Sequence, residues 1–347
     1  MRNNTKFLTV FCLLCITISN EALAIFEHRT GEPNLDPRSR ATGDVNLGIV
    51  NPLAALENPA YLAQIQKFAA QLVCTGEGGI PSTSNSSMIM GFRTDYAIFG
   101  VSACYNFVSY KTNTCELITG KDHIYNLDIG LHCATEINKN IDFGVSAQFG
   151  YEEMNSIGTG LTFNTGIVFN NLIEKTTFIS DNHGLKGFSI AISFQNIGQR
   201  VGYRRSSSQD DYYSFRSANT LNDHYTPWSV KINASWNVIY TDDYHLIAGY
   251  MYRPLLVDYT RRALFAGDEY SEGFGIEGKY KLLYIRIGKV NEYRHIWNKG
   301  GRYYYSNRDA ELTYGFGLDF GQVFFDISTR NEQYGGNTKW VSIGLRL

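Results

Sequence analysis

Two groups of aromatic residues lie among arginines and are the residues in this chain best suited to binding a partner. The first group is Tyr212 and Tyr213, and the second consists of Trp297, Tyr303, Tyr304 and Tyr305. Tyr, Trp and Arg dominate the energetics of protein interfaces, so we expect both groups to contact a partner protein. The alternative is an aromatic girdle, because Tyr and Trp also concentrate at membrane boundaries.

Catalytic and metal chemistry are not indicated by any motif. Enzymes need a nucleophile with a base and an orienting acid, whereas the seven His residues are scattered and neither GxSxG nor HExxH occurs. Hard cations need several converging oxygens, so we interpret the adjacent acids Glu152-Glu153, Asp210-Asp211 and Asp242-Asp243 as solvated connections. The chain is predicted to be no enzyme, with no catalytic residue, no metal site and no cofactor.

Residues 1–24 have the pattern of a secretory signal peptide. Arg2 and Lys6 precede an apolar stretch from Phe7 to Ile18. The small residues Ala22 and Ala24 then flank Leu23, and cleavage is expected after Ala24. Beyond this leader no segment approaches the roughly 18 consecutive apolar residues that a membrane-spanning helix needs. The net charge is -2 without a basic block, so no nucleic-acid partner is expected.

Apolar residues alternate with small or polar residues through most of the mature chain. A clear example is Leu312, Tyr314, Phe316, Leu318 and Phe320, which interleave with Thr313, Gly315, Gly317, Asp319 and Gly321. Such a period of two is typical of strands with lipid on one side and a polar lumen on the other. We therefore predict an all-β fold in which about fourteen antiparallel strands close residues 66–347 into a transmembrane outer-membrane β-barrel.

The connections between these strands alternate in length. The long ones are Thr75 to Ser86, Tyr110 to His123, Gly198 to Thr226, Pro254 to Ser271, Asn291 to Asp309 and Arg330 to Asn337. Bacterial barrels have short turns on the periplasmic side and longer loops outside. An even strand number then places both termini in the periplasm, in a multi-pass protein of the bacterial outer membrane whose outer face contacts lipid.

The pattern also assigns a face to individual residues. Ile190, Ile192 and Phe194 should meet lipid, whereas Lys231 should face inward. A lysine on the lipid side would cost about 2 to 4 kcal/mol near the midplane, so the phase of its strand is decided by energy.

Residues 25–65 lack this alternation and form a separate unit between the signal peptide and the barrel. Pro59 restricts Asn58 away from helix, and small residues such as Ala60 suit close packing. A barrel of this width needs filling, so we predict that 25–65 is a lumen plug; the alternative is a short periplasmic helix and linker. Gly144 and Gly249 lie inside strands, where glycine lets a plug or lumen side chains approach closely or else permits a kink.

The Asn58-Pro59-Ala60 tripeptide, preceded by the stretch Gly43 to Val50, resembles the N-terminal hatch of FadL-type outer-membrane proteins. Phe188 to Gly198, Tyr225 to Asp258 and the stretch Gly335 to Thr338 resemble the PorV/PorQ branch of that superfamily. Each motif is short, but the motifs occur in the expected order and together span most of the mature chain. The ending Leu347 departs from the pattern, where an aromatic residue is more usual, and the sequence does not choose between PorV and PorQ.

The PorV/PorQ resemblance implies a component of type IX protein secretion. Its extracellular loops would bind the C-terminal signal domains of secreted cargo proteins and the secretion-machinery proteins. The wider FadL resemblance implies instead a transporter of hydrophobic small molecules, which we rank second. An open diffusion porin is a third reading, against which the aperiodic N-terminal segment speaks.

Overall fold

The computed structural model describes residues 36–47, 51–77, 82–109, 123–153, 157–173, 177, 179–180, 187–198, 202–204, 229–241, 243–254, 270–297, 303–332 and 336–347. The expected signal peptide and the first aromatic group, Tyr212 and Tyr213, lie outside the described residues.

Long antiparallel strands make up nearly all of the structure. In chain order they are β1 (Phe68–Glu77), β2 (Ser82–Arg93), β3 (Ile98–Ser109), β4 (His123–Asn138), β5 (Ile141–Glu153), β6 (Ile157–Phe169), β7 (Gly187–Gly198), β8 (Ser229–Tyr240), β9 (Tyr244–Pro254), β10 (Tyr270–Tyr280), β11 (Leu283–Trp297), β12 (Tyr303–Asp319), β13 (Val323–Glu332) and β14 (Gly336–Arg346). Two short strands, Ile179–Ser180 and Gly202–Arg204, pair with β8 and β6.

The sheet closes on itself. Each long strand pairs with its neighbours in the chain, and β1 pairs antiparallel with β14 from Ala69 opposite Arg346 to Glu77 opposite Thr338. Closure removes both sheet edges, so the backbone groups of every long strand have partners within the barrel. The predicted closed antiparallel barrel of fourteen strands is confirmed.

Burial alternates along the strands as the sequence pattern predicts. On β7, Ile190, Ile192 and Phe194 lie on the outer face, and on β8 Lys231 is buried inside. The outer face carries exposed Leu, Ile, Val, Phe and Tyr side chains on nearly every strand. An apolar surface of this extent is suited to hydrocarbon and not to water.

The strands extend farther than the alternation indicates. The connection predicted from Asn291 to Asp309 is largely strand, because β11 continues to Trp297 and β12 begins at Tyr303. The prediction that Trp297 and the three tyrosines lie in a loop is therefore wrong. Alternation marks only the lipid-facing part of a strand, whereas Tyr and Trp favour continued pairing above it.

Three short helices precede β1: α1 (Pro37–Ala41) and two 3-10 helices, η1 (Pro52–Leu56) and η2 (Pro59–Gln64). Asp36, Asn51 and Asn58 cap them through their side-chain oxygens, which accept from backbone amides of the first turn, and each cap is followed by proline. Proline fixes the φ angle of the first helical residue. Its missing N–H costs nothing there, because the helix has no acceptor for the amide at that position. In the described part of the chain no helix has the length and apolarity needed to cross a membrane.

The outer face can be tested with one charge. Val145 lies on the outer face of β5, 43% exposed, within the row of outward apolar residues that runs from Phe143 to Phe149. We expect Val145→Arg to destabilise the barrel by about 2 to 4 kcal/mol, because the cation enters hydrocarbon. Urea unfolding in lipid vesicles measures the change in free energy. The control is Tyr96→Arg in the turn between β2 and β3, where Tyr96 is 91% exposed; equal losses for both variants would contradict the assigned outer face.

Candidate functional site

The N-terminal segment, meaning the described residues 36–47 and 51–65, packs against the inward face of the barrel strands. Helix α1 contacts β11 to β14, η1 contacts β1 and β2, and η2 contacts β3 to β6. Nearly all of its residues are buried. The segment therefore touches the wall on opposite sides, and the contact surface between the two is the candidate functional site.

Glycines on the inner wall allow η2 to approach the strands. A methyl group at Gly144 would overlap the Pro59–Ala60 peptide, and one at Gly166 would overlap the Asn58 side chain. The side-chain nitrogen of Asn58 donates to the carbonyl of Ile192 on β7 at 3.4 Å. The tripeptide singled out in the sequence thus lies directly on the wall.

The turn after α1 packs equally closely against glycines on the other side of the lumen. The backbone of Thr42 and Gly43 occupies the space that side chains at Gly273, Gly275 and Gly288 would need. Gly43 itself has φ of 69°, a conformation that glycine adopts without strain.

Gly249 on β9 lies against Val45 and Leu47 of the N-terminal segment. The interpretation of Gly144 and Gly249 as positions of close approach is confirmed.

Apolar side chains supply much of the remaining contact. One cluster joins Leu53, Leu56 and Leu62 to wall residues that include Ile89 and Cys104. A second joins Val45 and Leu47 to the wall residues Ile247, Met251 and Val290. Burial of such side chains contributes roughly 1.5 to 3 kcal/mol each, so these clusters are the main attraction between segment and wall.

A buried ion-pair network fastens α1 to the wall. Glu277 on β10 is 0% exposed. Arg38 donates to both of its carboxylate oxygens, at 2.8 and 2.6 Å. Arg286 on β11 donates to it at 2.5 Å, and a ring nitrogen of His245 on β9 lies 2.9 Å from it. Arg286 also donates to Asp326 on β13 at 2.5 Å, so four side chains from four strands and Arg38 of the segment form one network centred on Glu277.

The cap of α1 adds a second charged group to this region. The Asp36 carboxylate accepts from the backbone amides of Arg38 and Ser39 and from the side-chain amide of Asn51 at 2.5 Å. Burial raises the pKa of Asp36 above its ordinary value, although these donors oppose the shift. The cap thereby ties α1 to η1.

A second fastening lies on β7 and β8, next to the strand of His245. Lys231 on β8 forms a buried ion pair with Glu57, and the side-chain amide of Gln195 on β7 donates to the Glu57 carbonyl at 2.8 Å. Gln195 lies in a β-bulge, where pairing between β6 and β7 shifts register beside Asn164 and where Asn196 has φ of 60°. Gln195 has the same inward phase as Ala191 and Ser193, and the bulge adds Asn196 as a second buried residue beside it.

The second aromatic group lies away from this contact surface. On the hairpin formed by β11 and β12, Trp297 pairs with Tyr303 through the backbone, and Tyr304 and Tyr305 follow opposite Ile296 and His295. The structure does not bring these residues to the N-terminal segment, and their proposed role in binding stays a prediction. Within the described residues, no three His, Cys, Asp or Glu side chains group as a metal site.

Sequence reasoning missed the charged partners of the segment. Arg38 and Glu277 are 239 positions apart, and nothing local links them. The available signal was weaker: Glu277, Arg286 and Lys231 each stand at an inward position of an otherwise regular strand. A charge in that phase needs a partner inside the barrel.

No protein-family model matches this chain, and no curated protein matches it significantly. Several solved structures do. The CymD monoaromatic hydrocarbon channel has a TM-score of 0.58 at 11% identity, covering 90% of this chain and 98% of its own. The Pseudomonas putida toluene transporter TodX has a TM-score of 0.56 at 9% identity, covering 89% and 96%. A Pseudomonas aeruginosa FadL homologue has a TM-score of 0.47 at 11% identity, too low to carry an argument.

At these identities the likeness shows the fold alone. The expected fold, a closed barrel like those of CymD and TodX, is confirmed to that level. The finer resemblance to PorV or PorQ gains no support from these structures and stays a prediction.

Removing the charge that holds Arg38 tests the ion-pair network. Glu277→Gln leaves two buried guanidinium groups short of a carboxylate, and loss of one partner of a buried pair costs about 3 to 5 kcal/mol. We expect faster hydrogen exchange of the amides in residues 36–47. The matched control is Glu136→Gln, since Glu136 is half-exposed and pairs with Arg93 at the barrel end. Unchanged exchange in Glu277→Gln would show that the network does not hold the segment.

The close contact between Gly144 and η2 gives a second test. Gly144→Ala places a methyl group in the Pro59–Ala60 peptide, and such overpacking costs about 1 to 3 kcal/mol. We expect η2 to shift and its amides to exchange faster. Gly278→Ala on β10 is the control, because its methyl group would meet no atom within 4 Å. The two variants should differ; identical exchange in η2 would argue against a seat at Gly144.

Proposed function

We propose that this barrel lies in the bacterial outer membrane and is a FadL-type transporter of hydrophobic small molecules, with residues 25–65 as its lumen plug. The observation that carries the proposal is the N-terminal segment seated against opposite sides of the inner wall. A filled interior is unsuited to free diffusion of ions and water. It suits a protein that admits selected molecules by local movement of the plug.

The contacts of the segment fit this role. The segment is held by two discrete polar fastenings, around Glu277 and around Glu57, and by apolar clusters between them. Buried ion pairs fix a geometry more than they add net stability, because desolvation offsets much of their attraction. Such contacts specify a closed position while leaving a transition to another position energetically accessible.

The fold likeness points the same way. CymD is a monoaromatic hydrocarbon channel and TodX is a toluene transporter. This chain spans nearly the whole length of both. Hydrophobic small molecules are therefore the substrate class to test first.

The proposed orientation follows from the ends of the barrel. The start of β1 and the last residue meet, since the amide of Leu347 donates to the carbonyl of Phe68 at 2.9 Å. Both lie at the end of the barrel that carries the short turns, such as 94–97 and 320–322. Short turns belong to the periplasmic side, so we place both termini there.

The secretion hypothesis ranks below transport. It depends on Tyr212 and Tyr213, which lie outside the described residues, and on the aromatic group at the end of the β11–β12 hairpin. No contact of the described residues favours secreted cargo or secretion-machinery proteins as partners. Type IX secretion stays a prediction of the sequence.

Uptake of radiolabelled butylbenzene tests the proposal. A Gram-negative host without its own hydrocarbon channels should take up the probe faster when it makes this protein than with an empty vector. Gly278→Ala serves as the control variant and should match the unaltered protein. A correctly folded barrel in the outer membrane that leaves uptake at the empty-vector rate would refute transport of this class.

Planar-bilayer recording separates the porin alternative. With the segment seated, we expect no large, steady ion conductance from the purified full-length protein. A stable open channel with porin-like conductance would contradict the plug and favour free diffusion.

A further inference from the structure

A patch of uncharged polar side chains lies on the inner wall beyond the seat of η2. We call it the wall patch; its members are Asn85, Asn106 and Asn126. They stand directly opposite one another on β2, β3 and β4. His132 and Ser146 each have an unpartnered atom too, but they lie opposite each other on β4 and β5, six residues and about 20 Å from Asn126 along β4, and are not members of the wall patch.

Each member of the wall patch has a polar atom that is closed off from solvent and has no hydrogen-bond partner. These atoms are the side-chain carbonyl oxygens of the three asparagines. Asn106 and Asn126 are 5% and 6% exposed. Native proteins pair almost all buried polar atoms, so three unpartnered oxygens side by side on the wall require an explanation.

Carboxylate ligands are poorly matched to this interior. The described lysines and arginines that face inward already have partners: Arg38 with Glu277, Arg40 with Asp44, Arg286 with Glu277 and Asp326, Lys231 with Glu57, Arg330 with Glu311, Arg346 with Asp319, Arg93 with Glu136 and Lys279 with the Tyr284 ring. Arg253 donates to Ser229. The wall patch itself carries no cation, and Asp128 is the next inward residue after Asn126 on β4. A carboxylate entering here would meet an acid and no spare positive charge.

An apolar surface adjoins the wall patch. Ile89 follows Ser87 on the inner face of β2, and Cys104 lies between Ser87 and Asp128 on neighbouring strands. Both belong to the apolar cluster of Leu53, Leu56 and Leu62. Uncharged hydrogen-bonding groups thus border directly on hydrophobic side chains.

We infer that the wall patch binds the uncharged hydroxyl or amide head of an amphipathic molecule, whose apolar body lies along the adjoining cluster. This inference rests on the proposed function and narrows its substrate class. The barrel selects neutral amphiphiles over carboxylates of the same length. Ligand entry supplies partners to atoms that otherwise have none, and it requires whatever covers the patch to move.

Three matched probes test this inference: 4-phenyl-1-butanol, 4-phenylbutyrate and butylbenzene. Binding to the full-length protein in lipid nanodiscs is measured by titration calorimetry at neutral pH, with empty nanodiscs subtracted. The alcohol should bind more tightly than the carboxylate. In the double variant Asn106→Leu/Asn126→Leu, affinity for the alcohol should fall by about tenfold, since two hydrogen bonds are lost. Affinity for butylbenzene should stay within about twofold, because it makes no such bond.

A stability measurement distinguishes loss of binding from loss of folding. Leucine has a branched shape similar to that of asparagine and removes a buried carbonyl oxygen that has no donor, and with it a desolvation penalty, so the thermal midpoint of the double variant should not fall. The matched control is Asn237→Leu on β8, which also has an unpartnered side-chain oxygen but lies on a distant strand. It should leave the affinity for all three probes unchanged.

The outcomes separate the two proposals. An equal loss of alcohol and butylbenzene affinity in the double variant, or tightest binding of 4-phenylbutyrate, overturns the head-group inference while the proposed transport of hydrophobic molecules stands. Failure of the unaltered protein to bind any of the three probes, together with butylbenzene uptake at the empty-vector rate, overturns both.

Discussion

Closure of the sheet is the constraint on which the other features of this protein depend. In hydrocarbon an unpaired amide or carbonyl costs several kcal/mol, so a sheet can lie there only without edges. The pairing of β1 with β14 supplies that closure. Once the ring is closed, every strand has one face outside and one inside, and residues such as Lys231 have no alternative to the lumen. The interior is therefore polar by necessity, and its charges must be neutralised inside.

The N-terminal segment meets part of that need. Glu57 is the ion-pair partner of Lys231, and Arg38 joins Arg286 at Glu277. Wall and segment are thus complementary in charge as well as in shape. The glycines at the two seats extend this complementarity to the backbone, because they leave room that any side chain would fill. We regard the barrel and the segment as parts of one folding unit.

Much of the fold could be predicted from the sequence because the determinants are periodic. Alternation located the strands, and the cost of a lysine in lipid set the phase of β8. The length of β11 and β12 could not be read this way, because above the apolar band the outward residues are no longer hydrophobic. The bulge at Asn196 could not be predicted for a different reason. The positive φ of Asn196 depends on a hydrogen bond from its backbone amide to the Asn164 side chain on the neighbouring strand. The link between Arg38 and Glu277 is a product of the closed topology, which no local pattern contains.

Some polar groups inside the barrel have several hydrogen-bond partners and others have none, and this difference bears on function. Around Glu277 each acceptor has several donors, so the segment is fixed in one orientation. On the wall patch the opposite holds, since buried acceptors of Asn106 and Asn126 have no donor at all. An N-terminal segment whose charged contacts are fully paired, beside a wall whose polar atoms are not, is held in position while the wall keeps acceptors for an incoming hydrogen-bond donor. This contrast underlies our proposal that charge positions the segment and that neutral polar groups on the wall select the ligand.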